Sequence, residues 1–374
     1  MRNENGEDCM KICHLTSVHK YNDIRITVKE CTTLVNAGYD VHLIAPNTRV
    51  KEFNGVTIHG LFNNYNGRLN RIKKFTKQIY QKAVELDADV YHFHDPELIP
   101  VGLKLKRKGK NVIYDIHEDV PRQIMSKSWI PKPLRKSVSS VFERYENNSA
   151  KKFDALIVAT PFIKKRFYNV NENSVNVNNY PILSEMHIDH SETFKKRQIA
   201  YIGGISKARG SITMAKAINN TSAKLVLAGS FLTKTEENEF YNHITANNIK
   251  HLGFIDREEI KNTLSESLAG LVILEPKENY LDSLPIKMFE YMSASIPVIA
   301  SNFPLWKNII EKNNCGICVN PLNEDEIAEA IQWIIDNPKE AKKMGENGRL
   351  AVENYFNWEQ ESIKLIGTYK DIDL

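Results

Sequence analysis

The strongest constraint on the fold is a pattern of strand, loop, helix and strand in the second half of the chain. Residues 271–274 form a short apolar run, typical of a strand buried in a parallel sheet. Pro285 suits the first turn of a helix, and Asp282 and Ser283 stand where capping side chains accept free backbone N–H groups. Residues 297–301 continue as the next strand. This order predicts an α/β fold with a parallel sheet.

The loop and helix of this pattern suit an anionic ligand, because a helix N-terminus at the carboxyl edge of a sheet attracts phosphate groups. Asp282 and Glu290 are eight residues apart, and the helix from Pro285 to Glu290 spans roughly 7–8 Å at about 1.5 Å per residue. Carboxylates repel phosphate, so we interpret the two acids as partners of sugar hydroxyl groups on either side of it. The alternative is a surface pair of Lys287 with Glu290, with Asp282 as a cap.

Residues 282–301 also resemble the acid-x7-acid motif of the family-four (group 1) retaining glycosyltransferases. The shared positions are Pro285, Glu290, Tyr291, Met292, Pro297 and Val298. The sequence has Asp282, Ser283 and Ser295 where that family commonly has glutamate, glycine and glycine. The resemblance covers nearly the whole chain from Met10 onward. It implies a GT-B architecture, in which two doubly wound Rossmann-like α/β domains face a central cleft.

A chain of 374 residues exceeds what one core usually organises, so two domains are expected. We predict a disordered N-terminus at 1–9 and a Rossmann-like domain at 10–183. A second Rossmann-like domain is predicted at 184–354. By resemblance, the first domain binds the acceptor, the second binds a nucleotide sugar, and a helix at 355–374 packs back on the first.

Strand and helix signals alternate along both halves. The predicted strands are 10–16, 39–45, 53–62, 89–94, 111–117, 153–159, 198–203, 225–230 and 249–255, and the predicted helices are 26–36, 68–86, 103–110, 161–167, 325–336 and one from about residue 358. A turn is predicted at 63–67. The loop after the first strand lacks the glycine-rich dinucleotide fingerprint, so nicotinamide binding is not expected. We predict no cofactor, with the nucleotide sugar acting as substrate.

The loop 203–210 follows a predicted strand and opens a helix. Its glycines let the backbone approach a phosphate, and its cations neutralise one. The similar family has an arginine after the first glycine and a lysine before the last; here Gly204 and Arg209 occupy these places. The resemblance implies that Arg209, Lys287 and Asp282 act in catalysis. It also implies donor binding by Gly203, Gly204, Lys207, Gly229, Gly253, Phe254, Ile255, Ser283, Leu284, Pro285 and Glu290.

Ionisable groups follow the predicted strand 111–117. By resemblance, His117 lies beside the donor sugar, where it binds a hydroxyl group or shares the charge of the departing phosphate; a cap on the next helix is the alternative. His92 and His94 share a strand face, but a zinc site would need a third ligand that the sequence does not place. The pair Cys315 and Cys318 is interpreted as part of a buried strand. We therefore predict no metal site.

The net charge of +4 is unevenly divided, because residues 1–183 carry 29 Lys+Arg against 19 Asp+Glu while residues 184–374 carry 21 against 27. Residues 126–136 combine Trp129 and Ile130 with basic side chains, which suits contact with an anionic membrane. The basic helices lack interleaved aromatic residues, so nucleic-acid binding is not predicted. The sequence has neither an apolar signal-peptide core nor an 18-residue apolar run, so we expect a cytoplasmic location, with the inner face of the cell membrane as an open alternative.

These patterns and the resemblance together predict a retaining, metal-independent glycosyltransferase. It would move a hexose-type sugar from a nucleotide-diphosphate-sugar donor to a hydroxyl of a lipid-linked or oligosaccharide acceptor. A role in capsule, exopolysaccharide or O-antigen biosynthesis would follow. The resemblance implies front-side attack, in which the donor phosphate takes the acceptor proton. The alternatives are a nucleotide-sugar epimerase of the same architecture and a nucleotide-sugar-binding protein without turnover.

Overall fold

The computed structural model describes residues 9–62, 71–127, 129–186, 188, 195–245 and 248–373. The chain divides into two compact units, Met1–Asn179 with Gln360–Leu374, and Tyr180–Glu359. These divisions fall within five residues of the expected boundaries after residues 183 and 354. The expected turn at 63–67 lies outside the described residues, as does all of the expected disordered segment except Cys9.

The first unit contains an eight-stranded sheet in the order β3-β4-β2-β1-β5-β6-β7-β8. Its strands are β1 (Lys11–Leu15), β2 (Asp40–Pro46), β3 (Glu52–Phe53), β4 (Val56–Leu61), β5 (Val90–Phe93), β6 (Asn111–Ile116), β7 (Ala155–Val158) and β8 (Ser174–Asn176). Among the described strand pairs of this sheet, only that of β3 with β4 is antiparallel. Chain order reverses between β1 and β5, so this junction is the switch point of the sheet.

Helices connect these strands. Ile24–Cys31 is π-helical and continues directly as α1 (Thr32–Asn36), and the π-helical turn Arg71–Phe75 leads into α2 (Thr76–Leu86). The other helices are α3 (Ile99–Arg107), α4 (Val120–Ser126), α5 (Lys132–Ala150) and α6 (Pro161–Phe167). The sequence pattern did not predict α5, because proline disfavours a helix interior. Pro131 is instead the N-cap residue and Pro133 lies in the first turn, where proline is tolerated.

The two faces of the first sheet differ in character. Side chains alternate along each strand, so Leu15, Phe93 and Tyr114 lie in an apolar cluster on one face. The alternation sends His14, His92 and Asp115 to the opposite face, and all three are fully buried. A buried polar layer therefore covers the second face near the switch point.

The second unit contains an all-parallel six-stranded sheet in the order β11-β10-β9-β12-β13-β14. Its strands are β9 (Gln198–Ile202), β10 (Lys224–Ala228), β11 (Ile249–Gly253), β12 (Ala269–Val272), β13 (Val298–Ser301) and β14 (Gly316–Val319). Cys318 lies in β14 as predicted but is only partly buried, and the buried Cys315 directly precedes the strand. The switch point lies between β9 and β12.

Helices cover both faces of this sheet, and each face has its own apolar cluster. They are α7 (Ser211–Asn219), α8 (Lys234–Asn242), α9 (Arg257–Ser265), α10 (Glu278–Leu281), α11 (Ile286–Ser293), α12 (Pro304–Lys312), α13 (Glu324–Asp336) and α14 (Pro338–Asn354). The last helix, α15 (Trp358–Asp373), begins in the second unit, and residues 360–373 belong to the first. The expectation of two doubly wound α/β units is confirmed.

Candidate active site

The loops after β9 and β12 flank the switch point of the second sheet, which is where ligands bind in doubly wound folds. The first loop begins at Gly203, and the second, residues 273–285, leads into α11. Tyr291 of α11 links the two sides. Its hydroxyl accepts a hydrogen bond from the Ile202 backbone at 2.9 Å, and its ring occupies the space that a side chain at Gly270 would need. The Glu-Tyr-Met sequence of the motif therefore fixes this helix to the end of β9.

Glycine is required at the mouth of this site. Gly203 has a φ of +117°, and a Cβ there would lie 3.3 Å from Lys287 Nζ. Gly229 has a φ of +144°, and a Cβ there would collide with the Gly203 carbonyl oxygen. These conformations favour glycine, which leaves the backbone open to a close ligand.

Lys287 has a buried ammonium group. Its side chain is partly exposed, but Nζ is shielded from solvent and has no hydrogen-bond partner among the described residues. The nitrogen lies 3.7 Å from the ring centre of Tyr201, a cation–π contact. Burial, and then the charge of Arg209, lower the pKa of Lys287 to about 7, although Glu290 partly offsets them. An anion beside Nζ would satisfy this group.

Arg209 supplies a second cation next to Lys287. Its Nη1 donates to the Gly204 carbonyl oxygen at 3.2 Å, and a Cβ on Gly204 would lie 2.7 Å from the same nitrogen. The glycine that replaces the family's arginine thus leaves room for Arg209. Lys207, by contrast, makes an exposed 2.9 Å ion pair with Glu239. The structure brings Arg209 and Lys287 together and directs Lys207 to Glu239.

Glu290 is buried and does not pair with Lys287, so the surface-pair interpretation is wrong. Arg257 Nη1 donates to its Oε1 at 2.6 Å, and Arg257 Nη2 donates to Glu185 at 2.6 Å. Arg257 was not among the site residues predicted from the sequence. A usable signal was the capping box of Asp256 and Glu259, which places residue 257 in the first turn of α9.

The segment before α11 differs from the expectation. Asp282 is the C-cap residue that follows α10, and Ser283 Oγ donates to the Tyr280 carbonyl oxygen at 2.8 Å. No side chain of the described residues caps α11. The predicted capping role of these two residues is therefore wrong. Pro285 stands just before the first helical residue, so its fixed φ still directs the helix start. Trp306 holds the loop by donating from Nε1 to the Ser283 carbonyl oxygen at 2.6 Å.

The remaining predicted donor-binding residues lie near this loop or at neighbouring strand ends. The Gly229 backbone N–H donates to the Gly253 carbonyl oxygen at 2.7 Å, which joins the ends of β10 and β11. Phe254 follows with 88% of its surface exposed, and Ile255 packs against the apolar cluster. Leu284 packs on that cluster too. Ser295 has a φ of +54°, in the region that favours the family's glycine.

His117 lies in the first unit, directly after β6. Its Nε2 is 2.8 Å from Asp115 Oδ2 and 3.2 Å from His94 Nδ1. Burial raises the pKa of Asp115, but the Arg25 guanidinium and then His117 outweigh this and hold it well below its usual range. The side chain that caps α4 is Asp119, so the cap interpretation of His117 is wrong.

Comparisons with known proteins agree with this architecture. The family model of group 1 glycosyl transferases matches residues 185–351, and that of glycosyltransferase family 4 matches residues 25–177. Similar curated proteins include an MMP alpha-(1->4)-mannosyltransferase of Mycolicibacterium hassiacum, 19% identical over 76% of this chain and 71% of that protein. Another is the D-rhamnosyltransferase WbpZ of Pseudomonas aeruginosa, 22% identical over 75% of this chain and 72% of that protein.

Solved structures share the fold over almost the whole chain. Sucrose-phosphate synthase from Thermosynechococcus elongatus superposes with a TM-score of 0.77 at 17% identity, covering 97% of this chain and 99% of that one. Anabaena HepE in complex with UDP and glucose gives 0.75 at 16% identity, covering 97% and 100%. The fold is that of GT-B glycosyltransferases. The chain belongs to the group 1, family 4 glycosyltransferases.

In the described part of the chain, no helix combines the length and apolar character that a bilayer crossing requires.

Proposed function

We propose that this protein transfers a hexose-type sugar, with retention of anomeric configuration, from a nucleotide-diphosphate-sugar donor to a hydroxyl of a lipid-linked or oligosaccharide acceptor. The proposed setting is the biosynthesis of a surface polysaccharide. The second unit binds the donor and the first binds the acceptor. The transfer itself uses no metal ion.

The observation that carries this proposal is the buried ammonium of Lys287, which lacks a hydrogen-bond partner within the described residues and lies beside Arg209 and the open backbone at Gly203. A buried cation without a partner is costly, so a site that keeps one is suited to an anionic ligand. Two cations and free helix amides together suit a diphosphate. The family membership makes a sugar diphosphate the natural ligand.

The residues stabilise the leaving group. The bond between the anomeric carbon and the phosphate oxygen breaks, and its electron pair stays on the diphosphate, where Arg209 and Lys287 offset the developing charge. The acceptor oxygen forms the new bond to the anomeric carbon, and its proton passes to the phosphate oxygen. Glu290, held by Arg257, binds donor hydroxyl groups, and exposed Phe254 offers a stacking surface for the base. His117 has the role that the family resemblance implies, which is to form a hydrogen bond with a sugar hydroxyl.

Known proteins support the donor class. The curated relatives are named for transfer of mannose and rhamnose, and the HepE structure contains UDP and glucose. These sugars belong to those proteins. For this chain they favour a nucleoside-diphosphate hexose over other glycosyl donors.

A surface of α5 supports a lipid-linked acceptor. Leu134, Val138, Val141 and Tyr145 repeat along this helix at helical spacing and are all exposed, with Val141 at 71%. Trp129, which precedes the helix, is exposed as well. Exposed Arg144, three residues after Val141, adjoins this apolar line, and Lys132 and Lys136 add positive charge on the opposite side of the helix. An apolar line beside cations suits an anionic bilayer, which is where a lipid-linked sugar resides.

A donor panel tests the function. The protein is incubated with UDP-, GDP- and dTDP-sugars, and free nucleoside diphosphate and the sugar product are measured. We expect one donor to release its nucleoside diphosphate faster when a lipid extract is added. A changed sugar on an intact nucleotide would identify an epimerase, and binding without either reaction would identify a non-catalytic protein; both would overturn the proposal.

Vesicle flotation tests the lipid-linked acceptor separately. We expect binding to anionic vesicles and not to neutral ones, because the surface adjoins cations. Val141→Glu should reduce this binding, since a carboxylate opposes burial in the bilayer boundary. Leu322→Glu, at an exposed leucine of the second unit, is the matched control and should bind as the wild type does. Equal binding by both variants would exclude α5 as the contact surface.

A further inference from the structure

The first unit contains a buried group of imidazoles that the transfer chemistry does not use. His14 lies on β1 and faces His92 across the β1–β5 pairing, and His94 follows β5. Glu30 reaches them from the π-helical stretch Ile24–Cys31. All four side chains are at most 2% exposed. π-Helical turns are rare and occur often at functional sites.

The four residues converge on one point. One potential ligand atom from each lies within 4.8 Å of the corresponding atoms of the other three. His14 Nδ1 and His94 Nε2 are 2.9 Å apart, and the rings of His92 and His94 are 4.7 Å apart. The sequence pattern placed only His92 and His94 on one strand face. The fold brings two further candidate ligands, His14 and Glu30, to the same point.

In each of the three imidazole rings, one nitrogen already has a polar partner on the side away from the point of convergence. Tyr369 Oη lies 2.7 Å from His92 Nδ1 and 3.2 Å from His14 Nε2, and Asp115 Oδ2 lies 3.1 Å from His94 Nδ1. Metal-binding histidines use one nitrogen for the ion and the other for such a partner. This arrangement leaves His14 Nδ1, His92 Nε2 and His94 Nε2 as the ligand atoms.

Several of these buried polar atoms are unsatisfied. His92 Nε2 and both carboxylate oxygens of Glu30 have no hydrogen-bond partner in the part of the chain that the structure describes. Arg25 Nε lies 3.0 Å from Glu30 Oε1, but the guanidinium donates its hydrogen bonds to Asp115, from Nε and Nη2, and to the Val177 carbonyl oxygen, from Nη1. A buried carboxylate that lacks a hydrogen bond, beside an imidazole nitrogen that also lacks one, is costly in free energy even with the Arg25 guanidinium close by. A cation between them would satisfy both.

We propose that His14, Glu30, His92 and His94 bind one Zn²⁺ as a structural site of the first unit. Three imidazole nitrogens and one carboxylate oxygen match the tetrahedral ligand set of zinc. Four protein ligands leave no open position for substrate, so the ion joins β1, β5 and the π-helical stretch without taking part in transfer.

Zinc content of the purified chain is the direct test. The protein is produced without a polyhistidine tag, incubated with Zn²⁺, passed over a desalting column and analysed by mass spectrometry for metals. We expect about one Zn²⁺ per chain, and a lower Tm after a strong chelator removes it. Background zinc together with a Tm that the chelator leaves unchanged would overturn the proposal.

Variants locate the ion. Glu30→Gln and His92→Gln should reduce zinc to background, whereas His59→Gln should retain it. His59 is the matched control, because it forms a 2.9 Å imidazole pair with His42 in the same unit but belongs to no group of three or more candidate ligands among the described residues. Wild-type zinc content in both ligand variants, or equal loss in the control, would overturn the assignment.

A measurement on the wild type covers the case in which the ligand variants do not fold. Co²⁺ replaces Zn²⁺ in tetrahedral sites and absorbs visible light strongly there. We expect the Co²⁺-loaded wild type to show this absorption and to lose it on addition of Zn²⁺. A weak octahedral spectrum would contradict a closed four-ligand site.

Discussion

The two units place polar residues at corresponding points of their sheets but give them opposite chemistry. The first unit has His14 and His94 at its switch point, fully buried with carboxylates close by. The second unit has Gly203 and Lys287 at its switch point, with two cations and an open backbone. The same doubly wound topology therefore carries a group suited to an anion in one unit and a group suited to a cation in the other.

The largest expected effect tests the anion site. Arg209→Ala should lower kcat about 10²–10³-fold, because charge developing on the diphosphate loses a donor, while the donor Kd changes much less. Single-turnover kinetics with the preferred donor measure this. Arg197→Ala, at an exposed arginine of the same unit that contacts Ser222, should leave kcat unchanged. Wild-type turnover in Arg209→Ala would show that Arg209 does not stabilise the leaving diphosphate.

His117 tests whether the first unit also serves the reaction. His117→Ala should lower kcat about 10–100-fold, because the proposed hydrogen bond between His117 and a sugar hydroxyl is lost. Binding of nucleoside diphosphate alone, measured by calorimetry, should stay at the wild-type level, since those contacts lie in the second unit. A weakened nucleoside diphosphate affinity would contradict this division of roles.

Lys287→Met separates binding from stability. Donor affinity should fall about 10-fold, because the diphosphate loses a cation. The unliganded protein should become more stable by about 1–2 kcal/mol near pH 7, because an apolar chain replaces a shielded ammonium that lacks a hydrogen bond to the described residues. Lys307→Met, at an exposed lysine of α12 paired with Glu311, is the control and should change neither quantity. Loss of stability in Lys287→Met would show that the ammonium is satisfied.

The smallest expected effect is the pH dependence of donor binding. The free protein has a Lys287 pKa of about 7, and a bound diphosphate raises it, so binding takes up a proton above pH 7. Donor affinity should therefore fall as pH rises above about 7, by at most about tenfold per unit. Calorimetry from pH 6 to 9 measures the slope. A flat profile in the wild type, or the same slope in Lys287→Met, would exclude this lysine as its cause.

The sequence predicted much of the second unit because its signals are local. The motif 282–290 and the loop 203–210 each lie within ten residues, and the resemblance covered both. The contact of Arg257 with Glu290 was not predicted, because the two residues are 33 positions apart in the sequence and lie on different helices. Asp282 was predicted to cap the N-terminus of α11, but it is the C-cap residue of the short helix α10.

The first unit was harder to predict because its polar group is assembled from distant segments. His14, Glu30 and His92 lie on different elements, and only strand register and the π-helical turn bring them together. The alternation of side chains along β1 and β5 was visible in the sequence. The neighbour relation of the two strands was not, because sheet order is not encoded by any local pattern.

The position of α15 at the end of the chain has a consequence for how the protein folds while it is being synthesised. Glu361 accepts hydrogen bonds from Asn178 at 2.9 and 3.0 Å, and Tyr369 contacts His92, so the first unit is completed by residues from 360 onward. A ribosome makes roughly 5–20 residues per second, so about 10–40 s separate the emergence of residue 179 from that of the final helix. During this interval the nascent first unit exposes the surface that α15 later covers, and the second unit can fold first although it is made second.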